Sequence, residues 1–400
     1  VFRRKSRAID AIAASFHDFA MQNDTTPGLA PQERIDRLRL ARSENVGPVT
    51  FRHLLGRYGS AGQAILALPD LAARGGRRRP LRICSAAAAE RECETLQRLG
   101  GRHLLYGEPA YPTPLAALED APPALSILGD ASLLNRDTVA VVGARNASTN
   151  GRHFARAIAA ELAEADLLVA SGMVRGIDAA AHTGALKHGT VAVLAGGVDV
   201  IYPKENSALY QDIVAQGLVL SELPCGVQPR AQHFPRRNRI ISGLALGIVV
   251  VEAALRSGSL ITARLAGEQG RDVFAVPGSP RDPRCRGTND LIRKGAKLTE
   301  SATDVITELS AMRRGRLAER SGPGFSAGAP PLPASETAPH ARETASRRIL
   351  DTLGPTPLAI DEIIRDTGFT PTEVWTVLLD LELAGRLERQ PGNLVALISQ

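Results

Sequence analysis

The sequence predicts an α/β chain: a doubly wound, mainly parallel sheet, with a small helical domain before it and a winged helix after it. Three observations predict this. Short apolar runs rich in β-branched residues recur at 139–143, 167–171, 191–194, 218–221, 248–251 and 273–276, and a helical pattern separates each from the next. Buried strands alternating with helices form a parallel sheet covered on both faces. Before it, 31–100 holds short helical periods joined by glycine turns. After 345, three short helices and a two-stranded hairpin follow one another in winged-helix order. The central domain is therefore Rossmann-like.

Taken in order, residues 1–30 have a basic start and no apolar period, so a loosely ordered leader is expected. Helical spacing begins near Gln32 and continues through Leu38 and Leu40. Glu44-Asn45-Val46-Gly47-Pro48 is a turn, and a second helix carries Phe51, Leu54 and Leu55. A third follows Gly59-Ser60 with Ile65 and Leu68, giving a SAM- or helix-hairpin-helix-like unit. The Gly47-Pro48 turn has two readings, a phosphate-holding hairpin and a plain helix-packing turn, of which the second is the simpler. In 101–310 a strand at 103–106, a short helix from Tyr111-Pro112-Thr113-Pro114 and a strand at 124–128 precede the repeating βα pattern. Prolines and glycines without apolar period make 311–344 a flexible linker. In 345–400, Ile349, Leu350 and Leu353 mark one helix and 358–363 a second. Thr370-Pro371-Thr372-Glu373 caps a third, and 386–389 with 394–397 make a hairpin around Pro391-Gly392-Asn393.

Composition bounds the function. With 44% hydrophobic and 22% charged residues over 400 positions, the chain has ample material for packed cores. The longest apolar stretch, 244–251, stops at Glu252 and falls far short of the roughly 20 residues of a bilayer span. No secretory signal is legible at the start. Net charge is +6, a mild bias towards anions, so arginine placement decides more than the total. Cys84, Cys93, Cys225 and Cys285 form no CxxC pair and no Cys/His cluster, which reads as reduced thiols of a cytosolic protein without a metal site.

Chemistry is expected at the carboxyl ends of the parallel strands, where helix N-termini offer free amides and a positive dipole. The loops there are Gly143-Ala144-Arg145-Asn146-Ala147-Ser148, Ser171-Gly172-Met173-Val174-Arg175-Gly176-Ile177-Asp178, Ala195-Gly196-Gly197-Val198-Asp199 leading to Tyr202-Pro203-Lys204, Phe234-Pro235-Arg236-Arg237-Asn238-Arg239, Arg256-Ser257-Gly258-Ser259 and Pro277-Gly278-Ser279. Together they favour an anion ligand over turn chemistry alone. The first loop lacks the third glycine of a dinucleotide fingerprint and no Walker A pattern occurs, so hydride transfer and NTP hydrolysis lose their usual support. No cofactor is expected. Three guanidiniums in four residues beside Phe234 match an unpaired polynucleotide, cations for phosphates and a ring for a base. The competing reading pairs those arginines with acids and buries Phe234. Asp178 and His182 stand four apart on a helix, and His182 reads as a hydrogen-bonded structural residue rather than a base. Glu252 reads as ordering the Ser257 loop or neutralising an arginine.

The motifs Val141-Val142-Gly143-Ala144-Arg145, Ser171-Gly172, Arg175-Gly176-Ile177-Asp178 with His182, Phe234-Pro235-Arg236-Arg237-Asn238-Arg239-Ile240-Ile241-Ser242-Gly243, Val251-Glu252-Ala253, Ser257-Gly258-Ser259-Leu260-Ile261-Thr262-Ala263 and Phe274-Ala275-Val276-Pro277-Gly278 occur in this order. The chain thereby resembles the DNA-processing protein A (DprA/Smf) family over about 35–395. The resemblance implies a non-enzymatic single-stranded DNA binder that protects incoming strands in natural transformation, passes them to the recombinase RecA and acts as a homodimer in the cytoplasm, away from membranes. It implies a DNA groove of Arg145, Ser171, Gly172, Lys204, Arg230, Phe234, Arg236, Arg237, Asn238 and Arg239. Ser257, Gly258 and Ser259 would add hydrogen bonds. Two other readings remain. A phosphoribohydrolase of the lysine-decarboxylase-like type would use the same sheet, but its Pro-Gly-Gly-x-Gly-Thr loop is missing. A duplex-binding regulator would use the winged helix, but its third helix carries Glu373, Asp380 and Glu382 and no basic residue, which suits a protein contact better than a major groove.

Overall fold

The computed structural model describes residues 28–320, 339–390 and 393–398. The leader expected at 1–30 lies almost wholly outside the described residues, as does 321–338 of the expected linker. Helices α1 (Pro31–Ala41), α2 (Pro48–Tyr58), α3 (Ala61–Arg74) and α4 (Ala86–Arg98) form the front domain. Their starts follow from the sequence. Proline opens α1 and α2, where a missing N–H costs nothing. The Ser60 and Ser85 side chains cap α3 and α4 by accepting from Gln63 N and Ala88 N. Leu40, Phe51, Leu54, Leu68 and Leu71 close one apolar core.

The central domain runs β1 (Arg102–Leu105), α5 (Thr113–Ala116), β2 (Ala124–Gly129), β3 (Thr138–Val142), α6 (Thr149–Glu164), β4 (Leu168–Ser171), α7 (Ile177–Ala185), β5 (Thr190–Val193), α8 (Ser207–Gln216), β6 (Leu218–Ser221), α9 (His233–Leu244), β7 (Gly247–Val250), α10 (Gly258–Glu268), β8 (Asp272–Ala275), α11 (Arg286–Arg293), β9 (Lys297–Leu298) and α12 (Ala302–Arg320). Nine strands lie in the order β1-β2-β6-β5-β4-β3-β7-β8-β9. From β6 through β9 all neighbours are parallel, whereas β1–β2 and β2–β6 are antiparallel. Alternation along the strands fills two cores. Val139, Val141, Val169 and Val249 face one layer of helices, and Ala140, Val142, Ile248 and Val250 face the other. Strand order advances one way from β3 to β6 and the other way from β7 to β9, so the sheet reverses between β3 and β7. A crevice opens at such a switch point, outside the carboxyl ends of the two strands.

The C-terminal domain comprises α13 (Pro339–Thr352), β10 (Leu358–Ala359), α14 (Ile360–Thr367), α15 (Pro371–Leu383), β11 (Leu387–Gln390) and β12 (Leu394–Leu397). Thr370 and Glu373 form the capping box read from the sequence. Two expectations change, and one strand was not foreseen. The helix expected at 358–363 begins at Ile360, because Leu358 and Ala359 pair with β12 as a third strand. The linker is shorter than 311–344: α12 extends to Arg320 and α13 begins at Pro339. Good helix formers such as Arg313, Arg314, Leu317 and Glu319 outweigh a single glycine there. Strand β9, two residues long, had no apolar run to announce it.

This domain docks on the front one. Leu379 and Leu383 of α15 enter the front-domain core, Asn45 donates to Leu383 O at 3.1 Å, and Arg386 donates to Gly75 O at 3.3 Å. The Trp375 ring stacks on His53 with centroids 4.7 Å apart. The Gly47-Pro48 turn lies against Glu382. It is thus part of a packed seam, in line with the simpler of its two readings.

Candidate nucleic-acid interface

An open cavity of about 510 Å³ occupies the switch point, walled by the Gly143–Asn146 stretch after β3, the Ala254–Thr262 stretch after β7, and Phe234, Pro235, Arg237 and Asn238 of α9. Its shape is held from behind. Glu252, at the end of β7, accepts from Ser148 N at 2.9 Å and Ser148 Oγ at 2.5 Å, while Ser148 Oγ caps α6 by accepting from Gly151 N. Gly151 is needed, since a Cβ there would meet the Glu252 carboxylate. Glu252 therefore orders the Ser148 loop, not the Ser257 loop. Ser257 caps α10 by accepting from Ser259 N, and the two hydroxyls lie 2.6 Å apart. Asn238 donates to Gly258 O at 3.4 Å, tying α9 to that loop.

Phe234 stands at the centre. The exposed Arg145 guanidinium lies 5.0 Å from its ring centroid, and Tyr202, also exposed, meets it edge-on at 5.9 Å. Lys204, Arg230 and Arg236 are exposed on the same carboxyl edge, and Arg256 and Arg284 join the cavity wall. Tyr202, Arg256 and Arg284 were not among the expected site residues. Tyr202 was detectable in principle: it is one of only five tyrosines, two residues before an expected cation in a strand-end loop.

The other expected residues lie deeper than anticipated. Arg237 is buried, donating to Val193 O at 2.6 Å, to Gly172 O and to Asn238 Oδ1, and it stands 5.8 Å beneath Phe234. Burial lowers its pKa to about 10, against the pull of Asp178. Arg239 is buried too, with both Glu222 oxygens at 2.6 Å and Asp120 O as partners. Ser171 is fully buried, and its hydroxyl donates to Val141 O at 2.6 Å. Gly172 gives its N–H to Asp178, and a Cβ there would overlap the Arg237 guanidinium. These four therefore brace the mouth from inside instead of facing a ligand. Arginine stems pack readily against apolar neighbours, and α9 is buried from Arg237 to Leu244.

Asp178 and His182 sit under the same loop. Burial raises the Asp178 carboxyl to about 6, partly offset by Arg237. Burial lowers the His182 imidazole to about 3, and its Nδ1 lies 2.9 Å from Thr190 Oγ1. Both are enclosed, and His182 is the structural histidine the sequence suggested. Among the described residues no group of three His, Cys, Asp or Glu side chains is placed to hold a metal ion, and no helix is long and apolar enough to cross a membrane.

Fold and mouth together define a class: a doubly wound α/β protein with a cationic, aromatic cleft at its switch point, carried between two helical modules. Comparison with known proteins gives the family. The model described as DNA recombination-mediator protein A matches residues 102–310, that of the DprA-like N-terminal HHH domain matches 31–95, and that of the DprA winged helix domain matches 333–393. The chain belongs to the DprA family. It is 48% identical over 200 residues to the DNA processing protein DprA of Streptococcus pneumoniae, covering 50% of this chain and 71% of that one. It is 39% identical over 292 residues to Protein Smf of Escherichia coli, covering 72% and 75% respectively. The X-ray structure of DNA processing protein A from Streptococcus pneumoniae superposes with a TM-score of 0.59 at 37% identity, over 70% of this chain and 98% of that one.

Proposed function

We propose that this chain is a recombination mediator that binds single-stranded DNA along the carboxyl edge of its sheet, protects strands taken up in natural transformation and hands them to RecA, working as a homodimer in the cytoplasm. One observation carries the reading: exposed cations, Arg145, Lys204, Arg230, Arg236 and Arg256, surround the ring pair of exposed Tyr202 and half-buried Phe234 at one edge of the sheet. Cations neutralise phosphates and rings stack on unpaired bases, a combination that tolerates any sequence. Ser257, Gly258 and Ser259 line the same cavity and offer the start of α10 to a phosphate. Asn238, Arg237 and Arg239 act by positioning that rim.

The duplex-regulator alternative fits less well, because α15 is occupied by the front domain along its Leu379–Leu383 turn. An oligo-dT titration across a salt series tests the proposal. Five phosphate contacts predict a slope of log affinity on log salt of about −3.5 for a single strand. A slope near zero, or equal affinity for a blunt duplex, would reject it.

A further inference from the structure

A second concentration of positive charge lies in the front domain and shares no residue with the sheet mouth. Between α3 and α4 the chain reads Arg74-Gly75-Gly76-Arg77-Arg78-Arg79-Pro80-Leu81-Arg82, five arginines in nine residues. From 77 to 85 the backbone is neither helix nor strand, yet it is pinned at several points. Glu44 accepts from Arg77 Nη2 at 2.9 Å and from Arg82 N at 3.1 Å, and Glu44 N donates to Arg82 O at 3.0 Å. Arg77 Nε donates to Arg79 O, and Leu81 and Ile83 pack against the front-domain core. Arg77 is thereby spent on structure. Arg74, Arg78, Arg79 and Arg82 remain exposed, and among the described residues Arg78 and Arg79 make no ion pair. Arg386 arrives from the winged-helix domain, its guanidinium beside Gly76. The acids near these six cations include Glu44 and the exposed Asp70, one turn before Arg74.

We propose that residues 74–82 with Arg386 form a second phosphodiester-binding track, which holds DNA that continues beyond the mouth. Like charges set this close repel one another, and a polyanion relieves that repulsion. The basic residues are all arginine, whose planar fork grips phosphate oxygens in pairs. The backbone is already fixed, so binding orders only side chains. The basic segment contains no aromatic residue, so the contact reads phosphates and not bases. The inference extends the DNA-binding reading of the mouth to another surface, and its test separates the two.

The experiment uses the full chain with Arg74, Arg78, Arg79 and Arg82 all changed to Gln, and anisotropy across a salt series. Three probes are needed: oligo-dT of about ten nucleotides, within the site size of one groove, a strand about six times longer, and a duplex of that length. The expected result is a slope shallower by about 3 on the longer DNA, near 0.7 for each lost contact. Short-strand affinity should be unchanged. The same four positions changed to Lys should restore the slope, and an unchanged thermal midpoint in both variants excludes misfolding. Wild-type slope and affinity on both long probes would overturn the track. An Arg145→Ala, Arg236→Ala variant that keeps short-strand affinity would instead sink the mouth reading while leaving the track result standing.

Discussion

Two guanidiniums approach the Phe234 ring, Arg145 exposed and Arg237 buried, and their substitutions should part cleanly. Arg145→Ala removes a surface cation from solvent, so oligo-dT affinity should fall about tenfold, the worth of one charge-assisted contact of about 1.4 kcal/mol, with the thermal midpoint unmoved. Arg237→Ala strips Asp178 of its counter-charge and leaves Gly172 O and Val193 O without a donor. Removing one member of a buried pair costs about 3–5 kcal/mol, on the order of 10 °C in midpoint for a domain of this size. A calorimetric midpoint equal to wild type would show that Arg237 is not the brace described. The sequence revealed the cluster but not which of its members face solvent. Arg237 bonds to carbonyls 65 and 44 positions away, and Arg239 to Glu222 across a separate loop. A local signal did exist: Arg237 shares the i, i+3, i+4, i+7 face with Ile240, Ile241 and Leu244, the spacing of a core stripe.

At the scale of elements, the seam between α3 and α15 depends on one missing side chain. Gly75 ends α3 in ordinary right-handed geometry, so alanine is allowed by its backbone, but a Cβ would overlap Asp380 O and the Ala384 methyl. Gly75→Ala should therefore separate the two domains at a cost of about 1–3 kcal/mol, as overpacking does, while leaving each folded. Trp375 is the one tryptophan of the chain and stacks on His53 in this seam, so its emission reports docking directly. The same probe tests a pH dependence. Burial, with Arg389 and Arg52 nearby, lowers the His53 pKa to about 4, and Glu382 is engaged by Arg389 at 2.8 Å. An undocked His53 titrates near 6.5. Between those values the separated form takes up the proton that the docked form refuses, so docking weakens as pH falls from 6.5 towards 4. Trp375 emission should change across that window, and His53→Phe, which keeps the stack, should flatten the response. The elements themselves were legible wherever local pattern decides them. Strand β6 has the expected bounds and the Thr370 capping box is present, because β-branched runs and caps act over a few residues. β9 and β10 were not legible, since two residues become strands only when a neighbour supplies the pairing.

Considered as a whole, the molecule interleaves its ends: the chain leaves the front domain, builds the sheet, and returns to complete the front domain's core with Leu379 and Leu383. The winged helix is thus a structural partner of residues 31–98 as well as a domain of its own. Each leucine buried there contributes about 1.5–3 kcal/mol, so deleting residues 321–400 should cost the front domain about 3–6 kcal/mol and expose apolar surface. The mouth should survive the same deletion, because its wall is drawn from Val142 to Arg284 and its braces from within the sheet domain. Hydrogen exchange on the truncated chain should therefore show lost protection in α1, α2 and α3, with β3, β4 and β7 still protected, and a short oligo-dT should bind within about twofold of wild type (less than 0.5 kcal/mol). Equal protection of the front helices in both chains would mean that the docked winged helix contributes no stability. A large loss of short-strand binding would mean instead that the mouth extends onto residues beyond 320, contrary to the placement of its cations.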